Sequence, residues 1–378
     1  MRVKSMSARQ FLRSQQHTIK TDYWHKLEDD RIQCDLCPRA CKLHEGQRGL
    51  CFIRGRESNQ ILLYSYGKSS GFCIDPIEKK PLNHFLPGTP TLSFGTAGCN
   101  LACKFCQNWD MSKSREMDTL SSLAMPEQLA KIAMKTDCHS VSFTYNDPVI
   151  FLEYAIDTAQ ACHEKNIRAV AVSAGYLEKK PRESFFRHMD AVNIDLKAFS
   201  PEFYQKLCGA ELENVLETLC YIKHQTDAWL EITTLLIPNE NDSDAELHRE
   251  NEWIIENLGP DVPLHFTAFH PDWKMQDKAP TPIATLTRAR RIATGVGLNY
   301  VYTGNVHDPY GSSTYCPHCK KLLIERDWYE LGEWNIQTTR ASTTGQCAYC
   351  GQVIAGVFET TPGNWGTKQQ LIRPENCF

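Results

Sequence analysis

The sequence predicts an α/β protein whose parallel sheet curls into a partial barrel. Between Thr91 and about Gly304, seven strand-like runs alternate with six helix-like runs. Strands such as Ala169-Val170-Ala171-Val172 are nearly continuous in apolar residues, as parallel strands covered on both faces are. Alternation at this spacing implies right-handed βαβ units, in an open doubly wound sheet or a barrel. Seven strands fall just short of an eightfold barrel, which makes a partial barrel the natural reading and puts its chemistry beyond the C-terminal strand ends.

The strand-like runs are Thr91–Gly98, Ser140–Asn146, Arg168–Gly175, Ala191–Ala198, Trp229–Ile237, Pro263–Phe269 and Asn299–Gly304. Helix-like runs lie between them at Pro126–Lys135, Pro148–Lys165, Pro181–Met189, Asn214–His224, Ser243–Leu258 and Pro282–Thr294. Pro126, Pro148 and Pro282 stand near the first helical position, where the missing N–H costs nothing. Residues 1–31 read as a solvated N-terminal arm bearing Arg2, Lys4, Arg9, Arg13 and Lys20, with an organelle-targeting peptide as the alternative. Residues 32–84 form a Cys-rich segment with too few apolar residues for a core of its own, so a metal is expected to stabilise it. Residues 85–310 hold the barrel, 311–360 a Cys-rich module of short Gly- and Thr-rich segments, and 361–378 an extended or partly disordered tail.

Length and composition set the outer limits. The chain has 378 residues, 42% hydrophobic and 23% charged, enough for one large core with appendages. Its formal net charge of −4 argues against a chain-wide nucleic-acid surface. No apolar run reaches the roughly 18 residues of a membrane helix, because even Trp229–Ile237 is interrupted by Glu231.

Cysteine usage is the informative excess. Eleven of the 17 cysteines fall into three tight groups: Cys34, Cys37, Cys41 and Cys51; Cys99, Cys103 and Cys106; and Cys316, Cys319, Cys347 and Cys350. Thiols two or three residues apart on tight loops aim at a common centre, which is metal geometry. The other six (Cys73, Cys138, Cys162, Cys208, Cys220, Cys377) read as small buried hydrophobes. No signal-peptide pattern precedes the clusters, so a reducing, cytoplasmic compartment is expected.

The middle group follows the first predicted strand with C-x3-C-x2-C spacing. Three thiolates on one loop can hold three irons of a cubane cluster and leave the fourth open. The alternative is a zinc knuckle completed by a distant ligand such as His84 or His139, although zinc sites usually use two-plus-two spacing.

This loop, with Phe105 before its last Cys, resembles that of the radical S-adenosylmethionine (radical SAM) enzymes. Asp75-Pro76-Ile77-Glu78-Lys79-Lys80-Pro81-Leu82, Thr144-Tyr145-Asn146-Asp147-Pro148 and Asn193-Ile194-Asp195-Leu196-Lys197 resemble the branch of the glycyl-radical-enzyme (pyruvate formate-lyase) activating enzymes. Adding both flanking Cys groups and Glu231-Ile232-Thr233-Thr234-Leu235-Leu236-Ile237-Pro238, the chain from Cys34 to about Phe358 resembles the radical SAM member of the AmmeMemoRadiSam system. The resemblance implies a partial (β/α)6-type radical SAM barrel, a 4Fe-4S cluster on Cys99, Cys103 and Cys106, and S-adenosyl-L-methionine on the open iron. One electron then cleaves the sulfonium, and the resulting 5′-deoxyadenosyl radical abstracts hydrogen from substrate. An electron donor of flavodoxin or ferredoxin type is implied, and Memo-like and AMMECR-like proteins are the expected associates.

The resemblance also places the cofactor contacts. Asn146 and Asp147 stand where related enzymes bind the methionyl ammonium, with Asp147 in place of the usual Glu; Asn-Asp-Pro is equally a helix cap. Ser173 keeps a hydroxyl after the third strand, while Val172 occupies the place of an Asp that holds a monovalent cation in relatives. Asp195 and Lys197 share a face of the fourth strand, with Lys197 set for the methionyl carboxylate or for a plain rim salt bridge. Phe105 is a further candidate contact for S-adenosylmethionine; His270 is either a contact for its adenosine or for substrate or a rim histidine without a role, and Asn305 is a weaker candidate. Glu78, Lys79 and Lys80 read by default as a solvated charge run, with gating of the cluster or binding of an anionic substrate as the alternative.

Cys316, Cys319, Cys347 and Cys350 are spaced as a zinc ribbon, C-x2-C with 27 residues to the next C-x2-C. Docking onto the barrel or a partner is preferred to nucleic-acid binding, since no dense Lys/Arg run accompanies them. Cys34, Cys37, Cys41 and Cys51 fit either zinc or an auxiliary iron–sulfur cluster, and His44 lies within reach of that loop. Two other functions compete with the radical reading: an activase that installs a glycyl radical on a partner, and a non-catalytic zinc protein binding RNA or protein.

Overall fold

The computed structural model describes residues 17–115, 122–339 and 342–377. Arg2, Lys4, Arg9 and Arg13 of the basic arm lie outside the described residues.

All seven predicted strands form: β1 (Pro90–Gly95), β2 (Ser140–Phe143), β3 (Arg168–Ser173), β4 (Ala191–Asp195), β5 (Trp229–Leu236), β6 (Leu264–Ala268) and β7 (Val301–Gly304). Each pairs in parallel with the next, in sequence order. The connecting helices are α1 (Pro126–Lys135), α2 (Leu152–His163), α3 (Lys179–Phe186), α4 (Leu212–Gln225), α5 (Asp244–Leu258) and α6 (Ile283–Val296). Their ends follow from local chemistry. Pro126 opens α1, Ser243 Oγ caps α5 by accepting from Glu246 N at 3.3 Å, and Gly259, at φ +88°, ends it. The two ends of the sheet do not pair, so it stays open on one side.

The segments flanking the sevenfold run add to this sheet. Lys68–Pro76 lies antiparallel on β1, and Gln370–Leu371 of the tail pairs outside it. Gly71 and the serines at its start give that edge strand no clean alternation, which is why periodicity does not reveal it. The Cys-rich segment has no core of its own: Cys34, Cys37, Cys51, Leu36 and Ile53 pack into the same apolar core as the barrel strands.

The C-terminal module is two small antiparallel sheets, Thr314–Tyr315 with Leu322–Asp327 and Glu330–Trp334, and Ile336–Thr339 with Ser342–Cys347 and Val353–Ile354. It docks on the barrel, as its sequence predicts. Buried Arg326 donates to Asn83 O at 2.7 Å, and Tyr302 of β7 bonds Thr314 at 2.8 Å. No described helix is long and apolar enough to cross a membrane.

Buried Glu250 on α5 accepts from Thr234 of β5, and burial pushes its carboxyl up to about 8. A raised folded-state value means that stability present below the unfolded value of 4.5 is lost as pH rises through 8. The slope is about 1.4 kcal/mol per pH unit at most. Glu250→Gln is expected to remove that slope, so that denaturant unfolding at pH 5 and pH 8 shows the variant gaining on the wild type as pH rises.

Candidate active site

A cavity of about 450 Å³ opens beyond the C-terminal strand ends. Thr144 follows β2, Val172 belongs to β3, Asp195 to β4, Thr233 and Leu235 to β5, Thr267 to β6, and Asn305 follows β7; all line it. One cavity touched by six strands means that the sheet curls around it, which is the partial barrel. Cys99, Cys103 and Cys106 line its wall.

The loop carrying these thiols is held from several sides. Asn146 Oδ1 accepts from Thr96 N at 3.1 Å, and its Nδ2 donates to Gly98 O at 2.8 Å. Lys113 Nζ donates to Leu101 O at 2.8 Å. The turn Tyr204–Cys208 accepts from the loop through its backbone, with Ala102 N on Cys208 O and Lys104 N on Leu207 O, both at 2.9 Å. Phe105 is buried, lines the cavity and packs on Phe203 with centroids 5.6 Å apart.

Single-ion and cluster sites differ in sulfur spacing. A tetrahedral zinc with bonds near 2.3 Å draws its thiolates to about 3.8 Å from one another. Among the described residues, the one set of three or more Cys, His or acidic groups lying within 4.8 Å of one another is Cys316, Cys319, Cys347 and Cys350. Its Cys316–Cys350 and Cys319–Cys347 sulfur distances are both 3.7 Å. Cys99, Cys103 and Cys106 share a cavity but are not all within 4.8 Å of one another, which leaves room for a polynuclear cluster. His84 and His139, the candidate completing ligands for a zinc knuckle, do not line the cavity. His84 is buried against Ala355 O and Tyr302 OH, and His139 pairs with Glu359.

The thiols sit in contrasting fields. Burial, reinforced by the Asp147 charge, pushes Cys99 up to about 12. The neighbouring Cys208 thiol, with Lys197 and Lys113, outweighs burial at Cys103 and brings it down to about 7. Cys208 is fully buried in the apolar core, as its sequence setting suggests, and does not line the cavity.

Other predicted contacts divide. Asp147 lines the cavity, but its carboxylate also accepts from Val149 N at 3.1 Å, Ser173 Oγ at 2.9 Å and Ala174 N at 2.9 Å. The helix-cap role is thus present, and burial still raises its pKa against these bonds. Ser173 points at Asp147 and is outside the cavity lining, so its hydroxyl positions the carboxylate. Asn146 spends its amide on the cysteine loop. Lys197 lines the cavity with its Nζ 2.9 Å from Asp195. Burial opposes its charge, yet Asp195 and the thiols of Cys103 and Cys208 hold the ammonium well above the ordinary lysine value.

Two expectations need correction. His270 is not part of the site: its side chain is 76% exposed, faces Asp272 at 3.6 Å and does not line the cavity. Position after a strand fixes where the backbone is, not where the ring points. Glu78, Lys79 and Lys80 are not a solvated run. Glu78 is buried and accepts from Gly88 N at 2.7 Å, while Lys80 is buried 2.6 Å from Asp75. Lys79 also pairs with Asp75, at 3.0 Å, and Tyr145 OH donates to the same carboxylate at 3.1 Å. Lys79, Lys80 and Tyr145 all line the cavity, as does Tyr329 of the C-terminal module, a residue that no motif in the sequence marks.

The radical SAM superfamily profile matches residues 94–250. An uncharacterized protein of Methanocaldococcus jannaschii is 40% identical over 332 residues, covering 88% of this chain and 97% of that protein. The chain carries a radical SAM domain, whose fold implies S-adenosylmethionine and an iron–sulfur cluster as cofactors. Its radical SAM domain is related to that of the pyruvate formate-lyase-activating enzymes: the Clostridium pasteurianum enzyme is 26% identical over 176 residues, 46% of this chain and 71% of that one. A probable GTP 3′,8-cyclase of Methanosarcina acetivorans is 24% identical over 298 residues, 73% of this chain and 84% of that protein.

Proposed function

We propose that this chain is a radical SAM enzyme in which Cys99, Cys103 and Cys106 hold a 4Fe-4S cluster with one iron open to S-adenosylmethionine. The observation that carries the reading is three thiols on the wall of one cavity at the C-terminal ends of a curled parallel sheet. When bound, these cofactors supply reductive cleavage of the sulfonium and a 5′-deoxyadenosyl radical that abstracts hydrogen from substrate.

The chain's own residues bind, orient and exclude water. Asn146, Lys113 and the Tyr204–Cys208 turn fix the cysteine loop. Lys197 offers a half-buried ammonium to the methionyl carboxylate while Asp195 orients it, and Asp147, set by Ser173, offers a carboxylate to the methionyl ammonium. Phe105 and Leu101 give apolar cover. The test is anaerobic reconstitution with iron and sulfide, followed by a chemical reductant and S-adenosylmethionine; reduction-dependent 5′-deoxyadenosine is expected, and its absence from an iron-loaded protein contradicts the reading. Loss of one hydrogen bond to a charged group costs about 1.5–3 kcal/mol, so Lys197→Met should weaken cofactor binding by about tenfold or more at unchanged iron content. His270→Ala should change neither quantity.

The similarity to a pyruvate formate-lyase-activating enzyme favours a second reading, an activase that installs a glycyl radical on a partner protein. A glycyl doublet in paramagnetic resonance after incubation with a partner distinguishes it. The motif series quoted above supports membership in the AmmeMemoRadiSam system, with Memo-like and AMMECR-like associates, a flavodoxin- or ferredoxin-like electron donor and a reducing cytoplasm. Zinc is proposed at Cys316, Cys319, Cys347 and Cys350, whose spacing suits a single tetrahedral ion.

A further inference from the structure

Cys34, Cys37, Cys41 and Cys51 converge on a second, small and almost wholly apolar cavity. Four thiols meeting there exclude a set of scattered core cysteines. Yet no three of them lie within 4.8 Å of one another, the spacing that the C-terminal quartet achieves. The same structure therefore contains one four-thiol site drawn in to single-ion distances and another that is not. The first arrangement suits a single zinc, and the looser one leaves room for a polynuclear cluster with a different metal behind each thiolate.

The surroundings agree. Arg54, 1% exposed and paired with Glu153, lines this cavity. The site also abuts the cysteine loop of the barrel. Asn100, the residue after Cys99, lines it, and Arg39 Nε donates to Asn100 O at 3.0 Å. Gly98 lies so close that a Cβ on it would sit 2.0 Å from Cys51 O, at φ +92°. Leu50, which is 50% exposed, also lines this cavity.

We infer that Cys34, Cys37, Cys41 and Cys51 hold a second iron–sulfur cluster, placed between the surface at Leu50 and the loop of Cys99, Cys103 and Cys106. Its position suits one-electron uptake from a low-potential electron-transfer protein docked at that surface: no bond forms or breaks, the donor loses one electron and the cluster gains it. The inference deepens the radical reading and rests on it only for the use made of the electron; the identity of the metal stands apart.

The test separates the two clusters. Full-length protein carrying Cys99→Ala, Cys103→Ala and Cys106→Ala, reconstituted anaerobically, is expected to retain two to four irons per chain with matching sulfide, about four fewer than wild type. It should also keep a visible iron–sulfur absorbance and a paramagnetic signal on reduction. A folded triple variant with no iron, or with two zincs in place of one, overturns the inference. If instead the triple variant loses no iron relative to wild type, the radical reading fails while the second cluster stands. Cys41→Ser alone, at the half-buried thiol, should alter or abolish the retained signal and leave the loop's share of iron; an unchanged signal overturns the assignment to these thiols.

Discussion

Cys103→Ala is expected to reduce 5′-deoxyadenosine formation to the level of a protein-free control. Removing outer partners of metal ligands already costs about 10–100-fold in affinity or activity, so loss of a ligand should exceed about 100-fold. Cys103 is the strongest choice of the three thiols. It is buried, lines the cavity and lies in the field of Lys197 and Lys113. Its neighbours Ala102 and Lys104 are tied to the Tyr204–Cys208 turn by backbone bonds that the substitution leaves in place, so the variant should fold. Product analysis after reduction, with iron content measured in parallel, checks both points. Cys208→Ala should retain loop iron, because Cys208 stands outside the cavity lining.

Arg54→Met should destabilise the fold by about 3–5 kcal/mol, the cost of leaving a buried charge without its partner. Arg54 joins the Cys-rich segment to the barrel. Its Nε donates to Ile150 O at 2.7 Å, and its two terminal nitrogens form a fork with both oxygens of Glu153 in the first turn of α2. Burial alone would raise the Glu153 carboxyl, but the guanidinium outweighs it and holds it below the ordinary glutamate value. Arg54→Lys should recover little, since a point charge cannot reproduce a two-pronged contact. The double variant Arg54→Met/Glu153→Met should be more stable than Arg54→Met alone, because no unpaired carboxylate remains. Denaturant unfolding of the metal-loaded protein measures all three.

The barrel was legible because its strands are buried on both faces and read as uninterrupted apolar runs, while proline, serine and glycine mark the helix ends. The edge strand Lys68–Pro76 was not, since it joins the sheet through pairing with β1 rather than through a periodic pattern of its own. At the site, cysteine spacing identified the loop, but side-chain direction was beyond sequence. His270 follows β6 as expected and turns to solvent; Asn146 follows β2 as expected and ties down the cysteine loop. Lys80 and Glu78 look like surface charges in a string and are buried, because Asp75 and Gly88 supply partners that spacing does not reveal. The relation of the N-terminal cysteines to the barrel loop was also hidden. It depends on Gly98 meeting Cys51 across a tertiary contact between segments far apart in the chain.

The central claim is that three cavity-wall thiols leave one metal corner for the amine and carboxylate of S-adenosylmethionine. Electron–nuclear double resonance on the reduced, reconstituted protein, with the cofactor's amino nitrogen labelled as ¹⁵N, tests it most directly. The account predicts a ¹⁵N hyperfine coupling to the cluster in wild type and its loss in Cys103→Ala. A cluster that is reduced and intact in the presence of saturating cofactor, yet shows no such coupling, would contradict it.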